Sequence, residues 1–285
     1  MPEAAKLASH EQFVEVPEGE LFVRSWTPVG SEGRAPMVLL HDSLGSVRLW
    51  RDFPEALARR LERPVIAYDR LGFGQSSPRK GLPSRRFIEE EAEICFPALR
   101  DALGFSKFLV FGHSVGGAMA IIIATRFVED CELVITEASQ AFLEEHTLNG
   151  IRAAKAQFQK PGQMEKLARY HGDKARWVLE AWTEVWLDPS FHHWSLEPFL
   201  QQVHCPVLAI HGDHDEFGTL EFPRRIAEGV QGPSAQAILE NCGHVPHREQ
   251  QPKVLDMVAA FVTEHPGKQS EDGAAEWREV LDPSV

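Results

Sequence analysis

The sequence predicts an α/β fold in which a mostly parallel central sheet, crossed by helices, carries one helical insertion. Three observations predict it. Short continuous apolar runs alternate with helical patterns along most of the chain. One run leads through Gly112-His113-Ser114-Val115-Gly116 straight into a helical pattern. Residues 139–203 break the alternation with helical, tryptophan-rich sequence. Continuous apolar runs suit strands covered on both faces, and helices between them supply the right-handed crossovers of a parallel sheet.

The elements follow in order. Residues 13–16 and 21–26 flank the turn Pro17-Glu18-Gly19 and read as a hairpin. Met37-Val38-Leu39-Leu40, Val65-Ile66-Ala67-Tyr68, Phe108-Leu109-Val110-Phe111, Leu133-Val134-Ile135-Thr136, Val207-Leu208-Ala209-Ile210 and residues 235–239 read as strands. Ser84 can cap a helix that runs to Leu103, stops at Gly104 and kinks at Pro97. A further helix is expected over residues 118–127. The expected organisation is a core of residues 1–138 and 204–265, a helical lid of residues 139–203, and a polar tail, 266–285, that is flexible or loosely docked.

The insertion holds Trp177, Trp182, Trp186 and Trp194, four of the seven tryptophans. A segment inserted between two strands of an α/β sheet commonly closes over the site, so Trp182 and Trp186 are candidates to line a substrate pocket. The competing reading is that these rings only form the core of a small helical subdomain.

Composition narrows the function. Against 29 Lys+Arg stand 42 Asp+Glu, a net charge of −13. That argues against nucleic-acid and anionic-membrane partners and leaves a small-molecule substrate as the expected partner. Oligomeric state stays open. The four cysteines form no CxxC pattern and read as free thiols of a reducing compartment. Residues 1–11 contain no apolar core of a signal peptide, and no apolar run approaches the ~18 residues of a membrane span. A cytoplasmic location is expected.

The chemistry centres on Ser114. A G-x-S-x-G between strand and helix puts the serine on a strained turn where only glycine, at 112 and 116, leaves room for the folded-back chain. The helix N-terminus favours a developing oxyanion there. A serine needs a base. His244 follows Gly243 on the loop after the last strand, at the same sheet edge as Ser114, with His247 as its rival. His113 adjoins the nucleophile and reads as packing. The base needs an orienting carboxylate. The strand ending at Ile210 runs into His211-Gly212-Asp213-His214-Asp215-Glu216, where Asp215 has the best reach and Asp213 and Glu216 compete. The same string lacks the spacing of familiar zinc hydrolases, so no metal or cofactor is expected. Two backbone N–H groups should form the oxyanion hole, one from Val115 and one from Ser43 in the loop His41-Asp42-Ser43-Leu44-Gly45-Ser46.

From about residue 13 to 265 the chain resembles the α/β-hydrolase fold superfamily, its lid-bearing carboxylesterase and carbon–carbon bond hydrolase branch in particular. The elbow, the acid loop 212–215, Gly243-His244 and the stretch Asp69-Arg70-Leu71-Gly72-Phe73-Gly74-Gln75-Ser76-Ser77 carry the resemblance. One position departs from it: Asp42 stands where family members usually have the Gly of His-Gly, and is expected to point away from the site and hold its loop by hydrogen bonds. The resemblance implies a serine hydrolase acting on a carboxylic ester. It also admits a carbon–carbon hydrolase or lyase with the same triad. A non-catalytic ligand receptor on this fold is the reading from another class.

Overall fold

The computed structural model describes residues 6–267. Its centre is an eight-stranded sheet: β1 (Leu7–Val16), β2 (Gly19–Pro28), β3 (Met37–Leu40), β4 (Val65–Tyr68), β5 (Phe108–His113), β6 (Cys131–Glu137), β7 (Val207–Gly212) and β8 (Ser234–Leu239), in the order β1-β2-β4-β3-β5-β6-β7-β8. β1 and β2 form the antiparallel hairpin expected around Gly19, and β2 meets β4 antiparallel. From β4 across to β8 every pair is parallel. The first strand starts earlier than its apolar pattern. Residues 9–12 are polar and 7–12 mostly exposed, yet 7–12 pair in register with 23–28 because the hairpin ladder continues beyond the covered part of the sheet.

Helices cover both faces, which is why the central strands are apolar without alternation. α1 is Phe53–Leu61, α2 Phe87–Glu90, α3 Phe96–Leu103 and α4 Val115–Arg126. On one face Val38, Leu40, Val110 and Val134 pack under α4, whose residues Val115–Ala124 are all buried. On the other, Met37, Leu39, Leu109, Phe111 and Ile135 meet Phe53 and Leu57 of α1 and residues of the C-terminal helix. The helix expected from Ser84 to Leu103 is interrupted. α2 passes into a π-helical turn, Glu91–Cys95, and Pro97 sits in the first turn of α3. The break thus precedes the proline and puts it where its missing N–H costs least. The helix after the elbow starts at Val115, three residues before its expected start.

Between β6 and β7 the chain forms α5 (Glu145–Gln157), α6 (Gln163–His171), α7 (Ala175–Trp186) and α8 (Glu197–Leu200). β7 is followed by α9 (Glu221–Gly229), and β8 by α10 (Pro246–Glu249) and α11 (Gln251–Glu264). Val254, Val258 and Phe261 of α11 complete the second core. Most of the expected C-terminal tail, from residue 268 on, lies outside the described residues.

Loops at the C-terminal edge are held by one carboxylate. Asp69, 1% exposed, accepts Val47 N–H at 2.6 Å and Gln75 N–H at 2.7 Å. Its backbone carbonyl accepts the Ser76 hydroxyl, which in turn accepts Phe22 N–H. Gly74, at φ 46°, passes so close to that carboxylate that a Cβ would collide with it. Removing the carboxylate leaves the buried Val47 N–H and the part-buried Gln75 N–H unpaired. Asp69→Ala should therefore destabilise the fold by about 3 kcal/mol and Asp69→Asn by less, read as lowered urea midpoints at unchanged slope.

Candidate active site

Ser114 ends the run of β5 and precedes the first turn of α4, at φ 55° and ψ −124°. A serine at positive φ is strained and must be held from outside. Its N–H donates to the Glu137 carbonyl on β6 (2.8 Å), and its carbonyl accepts from Gly117 N–H (2.8 Å). The flanking glycines are obligatory on space alone. A Cβ at Gly112 would collide with the Gly116 carbonyl, and one at Gly116 with the Leu40 carbonyl.

His244 Nε2 lies 3.0 Å from Ser114 Oγ, and its Nδ1 lies 2.8 and 2.9 Å from the two oxygens of Asp215. A carboxylate only accepts, so Nδ1 carries the hydrogen and Nε2 accepts the serine hydroxyl. Asp215 also accepts Phe217 N–H at 2.8 Å. Of the competing carboxylates, Asp213 accepts Cys242 N–H at 3.2 Å, and Glu216 lines the cavity beside Ser114. Burial opposes charge on His244, but the facing Asp215 outweighs it and holds the imidazole pKa above 6.5, with Asp42 and Glu216 adding to the effect. Burial likewise works against ionised Asp215. The His244 charge and hydrogen bond overcome it, so its pKa lies below the ordinary carboxylate value.

Behind this pair is a buried cluster whose charged forms burial disfavours. The rival histidine, His247, places Nδ1 2.5 Å from Glu137 Oε2 and does not reach Ser114. His113 Nε2 donates to the His244 carbonyl at 2.7 Å, a packing role with a specific bond. Burial lowers His247 to about 3 and His113 to about 4, and raises Glu137 to about 7. Ligand-type atoms of His113, Glu137 and His247 come within 4.8 Å of one another. His247 and Glu137 already bond each other, and His113 already bonds the loop of His244.

The loop after β3 faces Ser114 from the opposite side. The N–H groups of Ser43 and Val115 have no hydrogen-bond partner among the described residues. The loop is braced throughout. His41 Nδ1 donates to the Asp42 carbonyl (2.8 Å), while its Nε2 accepts Arg70 N–H (3.1 Å). Arg70 Nη2 donates to the same Asp42 carbonyl. His171 of α6 accepts Gly74 N–H at Nδ1 (2.9 Å) and donates from Nε2 to the Leu44 carbonyl (3.0 Å). The Asp42 side chain accepts Leu44 N–H at 3.0 Å, so it does hold its loop. It is not turned away, however: it lines the cavity at Ser114, and its other oxygen lies 3.5 Å from His113 Nδ1.

That cavity has a volume of about 220 Å³. Trp182 and Trp186 line it together with Ser114, Ser43, Gln140, Phe217 and His244. Sequence reasoning missed Gln140, a 4% exposed side chain whose Nε2 lies 3.5 Å from Ser114 Oγ. Because the serine hydrogen is directed at His244, Oγ can only accept from this amide. The available signal was its place just past β6, at the sheet edge that carries Ser114. It also missed Glu137, a charge closing an apolar strand. Among the described residues no helix is long and apolar enough to cross a membrane.

Residues 35–250 match the family model for the alpha/beta hydrolase fold. The chain is similar to the dihydrolipoyllysine-residue acetyltransferase component of the acetoin cleaving system of Pseudomonas putida, 28% identical over 84% of this chain and 66% of that protein. It is also similar to the proline iminopeptidase of Lactobacillus crispatus, at 22% identity over 81% of this chain and 91% of that one. It covers 30% or less of the length of several further curated relatives. Among solved structures it resembles 2-hydroxy-6-oxo-6-phenylhexa-2,4-dienoate hydrolase from Rhodococcus sp. strain RHA1, with a TM-score of 0.76 at 18% identity, covering 90% of this chain and 100% of that one. With the family model matched across most of its length, and with the strand order and elbow described above, the chain belongs to the alpha/beta hydrolase fold family.

Proposed function

We propose that the protein is a serine hydrolase that cleaves a carboxylic ester of a small to medium, mostly apolar substrate through an acyl-enzyme. The observation that carries this reading is the continuous chain from Ser114 Oγ through His244 to Asp215 at hydrogen-bond distances. Ser114 attacks the ester carbonyl as His244 Nε2 takes its proton. Asp215 holds the ring in the right tautomer and stabilises the imidazolium. The unpartnered N–H groups of Ser43 and Val115 receive the tetrahedral oxyanion. His244 then protonates the departing alkoxide, and in the second half-reaction it activates water against the acyl-enzyme. The insertion acts as a lid. Its Trp182 and Trp186 rings give the acyl or aryl portion apolar area and exclude water from the oxyanion.

Activity on a graded series of p-nitrophenyl esters tests the reaction class. A fluorophosphonate probe should label Ser114, and Ser114→Ala should lower kcat by about 10⁶-fold. Labelling at another residue, or retained turnover, overturns the assignment. Turnover of a carbon–carbon substrate in preference to every ester would favour the lyase-like chemistry of the same three residues.

His244 works as a base only when neutral, and Asp215 raises its pKa above 6.5. kcat/KM should therefore rise with pH through a midpoint above 6.5 and be lost on the acid side. In Asp215→Asn burial acts without its counterweight, so the midpoint moves to lower pH while kcat falls by about 10⁴-fold. A pH–rate profile of both proteins reads the two effects. An unmoved midpoint would mean that another group titrates.

Truncating Trp182 or Trp186 to Ala should raise KM for hexanoate esters by roughly tenfold and for acetate esters far less. Equal changes on both would reduce these rings to holding the insertion together.

A further inference from the structure

We propose that a second cavity, beside the one at Ser114, seats a carboxylate carried at one end of the otherwise apolar ester. This rests on the hydrolase reading above and adds the substrate's charge to it. The second cavity has a volume of about 270 Å³. It shares Asp42, Leu44, Phe158 and Val245 with the cavity at Ser114, so the two adjoin, and the proposed ligand reaches from one into the other.

Charge distinguishes the two spaces. Lys166 and Arg248, both exposed, line the second cavity. Around it stand three further cations: Arg48, which lies over the ring of the cavity residue Tyr170; Arg51, which follows the cavity residue Trp50; and Arg169 on α6. None of these five forms an ion pair among the described residues. In a chain with 42 acidic and 29 basic residues, a group of basic side chains left unpaired at one cavity is not what surface composition alone would produce. The histidines of the wall do not add to the positive charge: burial holds His113 at about 4, His247 at about 3 and His41 well below its ordinary value. Two lining cations against the one carboxylate of Asp42 leave one positive charge to balance. A monoanion fits that count.

The acyl and alcohol sides of the ester are tested separately. In one arm mono-4-nitrophenyl adipate is compared with its neutral carboxamide. In the other the hexanoate ester of 3-hydroxy-4-nitrobenzoic acid is compared with its carboxamide. In one arm the carboxylate should be preferred by about tenfold in kcat/KM at low ionic strength. The preference should shrink at about 0.5 M salt, where the Debye length is only a few ångströms. In Lys166→Gln combined with Arg248→Gln the ratio should fall to near one. Equal rates for both members of both pairs overturn the proposal, as does a preference that survives the double substitution.

Should no ester be turned over, the hydrolase reading fails but the cavity is still tested. Binding of 6-phenylhexanoate and 6-phenylhexanamide is then followed by tryptophan fluorescence. Tighter binding of the carboxylate, lost in the double variant, sustains the anion site, and equal binding removes it.

Discussion

Everything at the reactive edge depends on one tight turn. Ser114 is held at positive φ because β5 and α4 approach each other within a space that admits no side chain at Gly112 or Gly116. The strain is balanced by bonds from neighbouring strands: the Glu137 carbonyl of β6 holds the serine N–H, and β3 closes against Gly116. Because the sheet is parallel from β4 to β8, the loops that carry Ser43, Gln140, Asp215 and His244 all leave the same edge. The turn sets the position of the serine, and the sheet brings the other groups to it.

Behind the reactive groups burial works against charge. His113 and His247 pack against Trp50, His247 also against Phe53, Glu137 bonds His247, and burial drives each of the three toward its neutral form. The cluster therefore braces the backbone of Ser114 and His244 with groups whose charged forms burial disfavours. The charge that does act on His244 comes first from Asp215, bonded directly to the ring. Asp215 thus makes the largest favourable contribution to the imidazole pKa, with Asp42 and Glu216 adding to it against burial.

Much of this was legible in the residues. Every expected strand exists, because apolar runs buried on both faces leave an unambiguous pattern. The G-x-S-x-G turn and the Gly243-His244 pair could be read because their spacing follows from steric need. The acid could only be ranked: Asp213, Asp215 and Glu216 differ by one or two positions, and the choice among them depends on how the loop turns after Gly212. Gln140, Glu137 and His171 were not legible. Each works through a partner far away in sequence, such as Leu44 and Gly74 for His171, and no local pattern encodes such a partner. The same limit explains Asp42, whose hydrogen bond to its own loop could be anticipated but whose cavity-facing position could not.

The insertion leaves β6 and returns at β7, two strands that are hydrogen-bonded neighbours. The two strands are parallel, so the chain leaves β6 at the C-terminal edge of the sheet and must cross back to the opposite edge to enter β7; the sheet fixes both ends, whatever lies between them. Closing a longer or shorter excursion across so fixed a gap changes the chain entropy only slowly with length. Ser114, Asp215 and His244 all lie outside residues 139–203, whereas Phe158, Trp182 and Trp186 lie within them. The Ser114–His244–Asp215 series is thus written outside the insertion, which supplies part of the cavity wall beside Leu44, Phe217 and Val245, and that part could be exchanged by grafting. A graft would have to reproduce a few points of attachment: His146 to the Asp215 carbonyl, Thr147 to the Phe217 carbonyl, and His171 to Leu44.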